Sequence, residues 1–368
     1  MMARGEGGCG RSAHGGCRGW QGWLVLAALL LACSPAPTEG AAPRSLAGGG
    51  GLPSARGATA APTADPAVSP ASAVPRQVKV AYPSASLSQM AFMYAEEQGI
   101  YARHGVEVES VVMTTAPAVA ALVNGDVQYV YSGSTLLLSA ARGLPVRTFF
   151  QGARAPTLQL FARPEIASFA DLRGKTVSVL SAGGLSREVT ELVIEKHGVD
   201  PKAVRYIASG SAPAQMEHLR QGLAVAATIS PPWPLVARRE GYRLLANIGQ
   251  EITYPFALFA TTTGRLAEAR EEVKALVRAT LETHRLLRAA PAEVIDWIQR
   301  RFEVDPEVAA ESYALALEVQ NDDGEVLREG VANYFRIQTE QPHLRDVRYE
   351  DVVDMQPLQE VWRELGRR

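Results

Sequence analysis

Residues 106–131 read VEVESVVMTTAPAVAALVNGDVQYVY, and this stretch decides the fold class. Residues 106–112 alternate polar and apolar side chains and then become apolar, which predicts a strand. Residues 117–124 predict a short helix that ends at Gly125, and residues 127–131 predict another strand. A strand, a helix and a strand in this order indicate two parallel strands joined by a crossover helix.

The same alternation of strand and helix extends in both directions from this stretch. It predicts a first α/β group and then a second one. In the first group we expect strands at 78–82 and 146–150 and helices at 88–104 and 134–142, in addition to the elements above. In the second group we expect strands at 176–180, 204–208, 224–229 and 243–248 and helices at 185–197 and 213–221.

Two apolar extended runs flank the second group, at residues 157–162 and 256–261. They predict a pair of hinge strands, one leaving the first group and one returning to it. Residues 264–368 are mostly helical in pattern. We therefore predict an α/β protein of two lobes, each a helix-covered and mainly parallel sheet. Lobe 1 comprises 78–158 plus 257–368, and lobe 2 comprises 159–256.

The N-terminus has the composition of an export signal. Arg4, Arg11 and Arg18 precede a short apolar run that starts at Leu24. A run of about ten residues is half of what a membrane span needs, so residues 1–32 predict a cleaved signal peptide. The run ends in Leu30-Leu31-Ala32-Cys33, which resembles the lipobox of bacterial lipoproteins and implies lipidation of Cys33. A plain signal peptide with an incidental cysteine is the alternative.

Residues 33–77 begin with Cys33 and then consist mainly of Ala, Pro, Gly, Ser and Thr, with no hydrophobic period. Such a segment buries too little apolar surface to offset its ordering entropy, so it predicts a disordered linker. Its r.m.s. reach is about 35–40 Å by the relation for flexible chains. The sequence thus predicts a globular body held near a membrane surface.

Composition excludes several classes of function. The chain has 368 residues, is 47% apolar and carries a net charge of −2, so it has neither the composition of a disordered chain nor the basic face of a nucleic-acid binder. The histidines and acids show no metal-binding spacing, and Gly174-Lys175-Thr176 lacks the first glycine of a phosphate loop. We expect no metal and no cofactor. His284 lies on an apolar helix stripe and predicts a satisfied core histidine.

Small hydroxyl residues and glycines follow the predicted strands of both groups. Carboxyl ends of parallel strands form the edge at which ligands bind in open α/β sheets, and helix N-termini there present free N–H groups. Each such residue alone is also an ordinary helix cap. Together they predict a ligand cleft lined by Ser84, Ser86, Thr114, Thr115, Ser132, Ser134, Ser181, Gly183, Gly184, Ser211 and Trp233.

The chemistry of these loops limits the solute. Arg187 is the one cation near them, which disfavours a multiply charged anion. Tyr82, Tyr131, Tyr254 and Trp233 lie near strand ends and could stack on a planar ring. We expect a small polar or singly anionic organic molecule.

The body resembles periplasmic substrate-binding proteins of ABC transporters. More narrowly, it resembles the group that binds nitrate, sulfonates, taurine and thiamine pyrimidine precursors. The motifs that carry the resemblance are Gly99-Ile100-Tyr101-Ala102-Arg103-His104-Gly105, Ala121-Leu122-Val123-Asn124-Gly125-Asp126-Val127, Gly143-Leu144-Pro145-Val146, Asp171-Leu172-Arg173-Gly174-Lys175-Thr176-Val177 and Val352-Val353-Asp354-Met355. The resemblance implies the type II binding-protein fold and hinge closure on the ligand.

It also implies a monomeric, non-enzymatic lipoprotein that is exported, anchored by lipid to the periplasmic or outer face of a bacterial membrane, and partnered by an ABC permease and its ATPase. One departure is that Ser230 stands where the group has an acid before Pro231. Two alternatives remain open. One is an orphan ligand sensor, and the other is an enzyme on the same fold, of the pyrimidine-precursor or menaquinone-pathway type.

Overall fold

A computed structural model describes residues 76–84, 87–338, 344 and 346–367. They all fall in one compact unit of the chain. The predicted signal peptide, Cys33, the linker up to residue 75 and Ser86 lie outside the described residues. The first strand begins at Arg76, and Arg76 and Gln77 pair in register with Val106 and Glu107. Backbone pairing thus places residues 76 and 77 in the strand, two residues before its predicted start.

The strands alternate with helices along most of the chain. The strands are β1 (Arg76–Tyr82), β2 (Val106–Val112), β3 (Tyr129–Ser132), β4 (Val146–Ala153), β5 (Gln159–Ala162), β6 (Thr176–Val179), β7 (Arg205–Ala208), β8 (Ala226–Ile229), β9 (Arg243–Asn247) and β10 (Phe256–Thr262). The helices are α1 (Met90–Glu97), α2 (Ile100–Arg103), α3 (Thr115–Asn124), α4 (Thr135–Ala141), α5 (Leu185–Lys196), α6 (Ala212–Arg220), α7 (Trp233–Arg239), α8 (Ile248–Glu251), α9 (Thr263–Glu268), α10 (Arg270–Ala289), α11 (Pro291–Phe302), α12 (Pro306–Val319), α13 (Arg328–Ile337) and α14 (Gln356–Glu364).

The first sheet has the strand order β2-β1-β3-β10-β4. β1 is parallel to β2 and β3, whereas β10 is antiparallel to both of its neighbours. β10 is the returning run predicted as a hinge strand. Because it enters from the other sheet, it runs against the four strands that belong to the βα pattern.

The second sheet repeats this arrangement, with the order β7-β6-β8-β5-β9. β6 is parallel to β7 and β8, and β5, the outgoing hinge strand, is antiparallel to β8 and β9. Each sheet therefore takes its one antiparallel strand from the crossover that enters it. The predicted fold class of two helix-covered, mainly parallel sheets with two hinge crossovers is confirmed.

We call the first sheet with α1–α4 and α9–α14 the first unit, and the second sheet with α5–α8 the second unit. The first unit is built around an aromatic cluster in which the Phe259 ring lies 4.6 Å from the Tyr131 ring and 5.9 Å from the Phe149 ring. The Tyr82 and Tyr131 rings each lie 5.2 Å from the Phe92 ring. Both tyrosine rings therefore belong to this core, where they pack against other aromatic side chains.

Local backbone chemistry explains where single elements differ from the sequence pattern. The helix predicted over 88–104 is divided into a 3-10 turn, α1 and α2, because Gly99 adopts a left-handed conformation with φ of 63°. α7 begins at Trp233, directly after Pro231 and Pro232 of the loop that follows β8.

Candidate functional site

The predicted ligand residues that the structure describes lie at or just beyond the carboxyl ends of parallel strands. In the first unit, Ser84 follows β1, Thr114 and Thr115 follow β2, and Ser132 and Ser134 lie at the end of β3. In the second unit, the loop 181–184 follows β6, Ser211 follows β7 and Trp233 follows β8. This placement is the sheet edge at which ligands bind in open α/β folds.

Two of these residues are joined directly. The Thr115 and Ser132 hydroxyl oxygens are 2.6 Å apart, and Ser132 is only 2% exposed. This hydrogen bond ties the first turn of α3 to the end of β3. Because Ser132 is buried and Thr115 is partly buried, the pair first of all fixes the two loops relative to each other.

Ser134 belongs to a chain of hydrogen bonds that crosses between the two units. Its hydroxyl oxygen lies 3.1 Å from the Tyr254 hydroxyl oxygen, and the Tyr254 hydroxyl donates to a carboxylate oxygen of Glu188. A tyrosine hydroxyl has one proton, so Ser134 donates its own proton to the Tyr254 oxygen. Tyr254 lies in the returning crossover, whereas Glu188 lies in the first turn of α5 in the second unit.

Burial determines how this chain behaves electrostatically. Tyr254 is fully buried, and desolvation together with the Glu188 charge raises the pKa of its hydroxyl well above the usual value. Tyr254 therefore remains a proton donor at any physiological pH. The Glu188 carboxylate also accepts a hydrogen bond from Gln338 Nε2 at 3.2 Å, just beyond α13 of the first unit. The first unit thus holds Glu188 from two sides.

A second tyrosine, Tyr334, packs against Tyr254. The Tyr334 ring, on α13, lies edge-on to the Tyr254 ring at 5.9 Å. The pKa of the Tyr334 hydroxyl is raised above its usual value, chiefly by burial. Sequence analysis did not single out Glu188 or Tyr334. An acid in the first turn of a helix at the ligand edge was the available signal for Glu188.

The loops of the second unit make mostly local contacts. The Ser181 hydroxyl donates to the Gly183 carbonyl, and the Ser211 hydroxyl accepts from the Ala214 amide at 3.3 Å, as an N-cap does. Gly183 and Gly184 are exposed, and Gly184 has φ of 87°. Trp233 is partly buried against the apolar cluster of its own unit, which includes Phe161. The structure therefore places Thr115 and Ser132 in one hydrogen-bonded pair and Ser134 in a separate chain with Tyr254 and Glu188, and it leaves the loops of the second unit outside both.

Arg187, the cation expected near the loops, is engaged elsewhere. Its guanidinium donates to Glu191 at 2.8 Å and to the Ala182 carbonyl at 2.8 Å, and it lies 4.9 Å from the centre of the Tyr206 ring. These contacts keep it within the second unit. The charged group that joins the Ser134–Tyr254 chain is therefore the Glu188 carboxylate.

A small cavity lies where the two crossovers meet the first unit. It has a volume of about 40 Å³ and is lined by residues that include Ser88, Tyr131, Gly152, Thr157 and Ala257. A β-carbon on Gly152 would lie 2.8 Å from the Tyr131 hydroxyl, and Ala257 has φ of 53°, which is rare for alanine. One water needs at least ~10–15 Å³ of such volume, so this cavity admits a few waters and no organic solute.

A larger cavity, of about 450 Å³, lies at the opposite edge of the first sheet. Arg147 at the start of β4 and Thr263 after β10 line it, together with Arg328, Tyr349 and Trp362. All of its lining belongs to the first unit. The cleft edge differs because residues of both units and both crossovers converge there.

Within the residues that the structure describes, no group of three or more His, Cys, Asp or Glu side chains is arranged to hold a metal ion. In the same part of the chain no helix has the length and apolar character needed to cross a membrane.

Comparison with known proteins agrees with the architecture. No curated protein matches the chain significantly. The alkanesulfonate-binding protein SsuA from Xanthomonas axonopodis pv. citri, solved with bound MOPS, superposes with a TM-score of 0.58 at 17% identity, covering 77% of this chain and 97% of that one. The aliphatic sulphonate binding protein SsuA from Escherichia coli superposes with a TM-score of 0.59 at 17% identity, covering 77% of this chain and 91% of that one.

The nitrate-binding protein NrtA from Synechocystis PCC 6803 gives a TM-score of 0.58 at 16% identity, covering 78% of this chain and 89% of that one. At these identities the likeness shows a shared periplasmic-binding-protein fold. The model of the NMT1/THI5-like family matches residues 87–294, which is more than half of the chain. By this match the chain belongs to the NMT1/THI5-like family.

Proposed function

We propose that this protein is an extracytoplasmic solute-binding lipoprotein that captures a small polar or singly anionic organic molecule between its two units and delivers it to an ABC importer. The observation that carries the proposal is the hydrogen-bond chain from Ser134 through Tyr254 to Glu188, which lies beside the separate Thr115–Ser132 pair. It lies at the ligand edge of both sheets, and its last bond joins the units.

The fold relatives support the binding role. By their names, the solved relatives bind an alkanesulfonate, MOPS and nitrate, each small and polar. Hydroxyl and backbone donors at helix starts can bind such molecules without a full positive charge. We propose that the two units move apart to admit the molecule and close again around it, since the two crossovers can act as hinges.

The export and anchoring part of the proposal rests on the sequence before residue 76. A basic start, a short apolar run and the Leu30-Leu31-Ala32-Cys33 segment support a lipid on Cys33. The linker to residue 75 then allows the folded part to move near a membrane-bound permease. We propose that the protein acts as a monomer.

A binding role and an enzymatic role differ in what happens to the bound molecule. All three cysteines of the chain lie within its first 33 residues, so the described part has no thiol nucleophile. We propose that the protein is not an enzyme. Incubation of the purified protein with its best-bound compound should return that compound unchanged by mass spectrometry. Stoichiometric conversion or turnover would instead favour the enzyme alternative.

The ligand itself is found by a thermal-shift screen of the purified chain against sulfonates, nitrate, taurine, pyrimidines and flavin precursors. We expect at least one class to raise the melting temperature in a saturable way, because a ligand that binds only the folded state stabilises it by mass action. Calorimetry then gives the stoichiometry. No shift with any class, together with no heat of binding, would contradict the proposed function. Lower uptake of the labelled ligand in a strain that lacks the protein would support delivery to an importer.

A further inference from the structure

Helix α12 lies against both units at once. Its buried face belongs to the first unit, where the Tyr313 hydroxyl donates to the Leu287 carbonyl at 2.6 Å and Ala309 is part of the first unit's core. Its last turn is tied to the end of β4, because the Arg154 amide donates to the Val319 carbonyl at 2.8 Å. The helix is thus firmly attached to one side of the hinge.

The other face of α12 presents three acids to the second unit. Glu307 forms an ion pair with Arg239, Glu311 forms one with Arg238, and Glu318 accepts from Asn247 Nδ2 at 2.7 Å. At 3.6 residues per turn, positions 307, 311 and 318 fall within about 40° of one another around the helix. Arg238 and Arg239 end α7, and Asn247 ends β9. We call these three contacts the α12 clasp.

Close steric packing at the hinge accompanies the α12 clasp. A β-carbon on Gly249 would lie 2.3 Å from Val319 Cγ1, so the backbone of α8 approaches α12 as closely as a glycine allows. On the other rim, Arg336 of α13 donates to Glu195 of α5 at 2.7 Å. Of the two helices, α12 contributes two charged side chains to ion pairs with the second unit, Glu307 and Glu311, whereas α13 contributes one, Arg336.

The clasp therefore opposes separation of the units. Movement of the second unit away from the first must break contacts between α12 and α7, β9 and α8, whereas contacts within each unit survive. Admission of a solute between the units, as proposed above, requires that movement. The ion pairs are at least partly exposed, with side-chain exposures of 58% for Arg239 and 39% for Arg238, so dissolved salt can screen them.

We propose that the α12 clasp is an electrostatic lock on the cleft, which makes opening, and hence admission of solute, dependent on ionic strength. This inference rests on the proposed function for its biological meaning, since it concerns access to the same cleft. Its structural part, the lock itself, concerns the distance between the units and needs no solute to be measured. The two can therefore fail separately.

The first test measures the distance between the units. Spin labels on Asp126→Cys in the first unit and Ala203→Cys in the second, in the full chain with Cys9, Cys17 and Cys33 changed to Ser, report the distance distribution by pulsed electron resonance. The clasp variant is Arg238→Gln with Arg239→Gln. The matched control is Arg220→Gln, whose guanidinium pairs with Glu240 and Glu217 inside the second unit.

We expect the clasp variant to raise the ratio of long to short distances roughly two- to thirtyfold, from the usual strength of two partly exposed ion pairs. The control should match the parent. Raising the salt concentration from about 0.05 M to about 0.5 M should shift the parent in the same direction and leave the clasp variant nearly unchanged. Reversing one pair, with Glu307→Arg and Arg239→Glu together, should restore the parent distribution.

The second test uses the tightest compound of the screen and measures its association rate by stopped-flow fluorescence. The clasp variant should bind faster than the parent by a similar factor at low salt, and the two rates should converge at high salt. Equal distance distributions and equal salt dependence in the clasp variant and the control would overturn the lock. A lock confirmed by distances, with no compound bound in any form of the protein, would leave the lock standing and contradict the proposed function.

Discussion

The Tyr254 hydroxyl donates a hydrogen bond to the Glu188 carboxylate, and this bond joins the returning crossover, two residues before β10, to helix α5 of the second unit. Ser134 of the first unit donates to the same hydroxyl oxygen. One buried side chain thus links elements that a hinge motion would separate. The predictions below start from this relationship and from other contacts that the fold depends on.

Tyr254→Phe removes the hydroxyl and leaves Ser134 and Glu188 without their shared partner. We expect a loss of about 1–3 kcal/mol in the free energy of unfolding, because the partly buried Glu188 carboxylate and the buried Ser134 hydroxyl each lose a hydrogen bond. Urea denaturation measures the change. The control is Tyr349→Phe, which loses a 2.6 Å bond to the Val326 carbonyl within the first unit and should not alter the distance between units. Equal effects of both variants on that distance would contradict a joining role for Tyr254.

Gly249→Ala tests the close approach of α8 and α12. The added β-carbon would overlap Val319 Cγ1, so we expect destabilisation by about 1–3 kcal/mol, as for other overpacked sites. Val319→Ala removes the obstructing methyl groups and should recover much of that loss in the double variant. Thermal unfolding of the parent, the two single variants and the double variant measures their stabilities and so completes a double-mutant cycle. Strict additivity of the two changes would show that the residues do not contact each other.

His284 predicts a pH dependence of stability. Burial lowers the pKa of its ring to about 4, against 6.5 ordinarily, while the Asn321 carbonyl and Asp322 act in the raising direction and Arg288 in the lowering direction. The ring's Nδ1 lies 3.0 Å from the Asn321 carbonyl, but Nε2 is buried without a partner among the described residues. The expectation of a fully satisfied core histidine is therefore wrong for Nε2.

The direction in which stability changes with pH follows from the lowered pKa of the His284 ring. Above about pH 6.5 the ring is neutral in both states and its contribution is complete. As the pH falls from 6.5 to about 4, only the unfolded chain takes up the proton, so stability is lost, by about 3 kcal/mol in total. His284→Gln should lose less stability than the parent across this range in urea titrations. Parallel curves for the two proteins would contradict the assignment.

Much of the fold was predictable because its signals are local. The alternation of Val106–Val112 and the glycine stop at Gly125 are set by neighbours in the chain, and β2 and α3 end where these residues predict. The returning hinge run was also visible, since its five apolar residues in succession, 256–260, indicate a strand buried on both faces. The outgoing run, 157–162, carries the same signal more weakly, because Gln159 interrupts its apolar residues. Their antiparallel insertion between βα strands follows from topology rather than composition.

The site was less predictable, because its contacts join residues that are distant in sequence. Ser134 meets Tyr254 across 120 positions, and Tyr254 meets Glu188 across 66. Strand ends alone indicate which edge carries the site, but they do not indicate which side chains turn toward the other unit. The partners of α12 in the second unit were invisible for the same reason, since a stripe of acids reads as an ordinary solvated face.

Cys33→Ala tests the proposed anchor. Since the thiol would carry the lipid, the variant should incorporate no labelled fatty acid and should remain uncleaved or appear in the soluble fraction. Metabolic labelling with an alkyne fatty acid and membrane fractionation measure both effects, and Cys17→Ala is the control. Normal labelling of Cys33→Ala would exclude Cys33 as the anchor.

The central claim is that a solute binds at the edge where Ser134 lies. Ser134→Ala removes one hydroxyl from that edge, whereas Ser139→Ala removes a hydroxyl on the same helix that bonds only the Thr135 carbonyl and is the matched control. Isothermal titration with the tightest compound of the screen measures both. We predict that Ser134→Ala raises Kd about three- to a hundredfold, which corresponds to one lost hydrogen bond to a neutral or charged ligand, and that Ser139→Ala leaves Kd unchanged. Equal Kd values for the parent, Ser134→Ala and Ser139→Ala, with all three folded, would contradict the account.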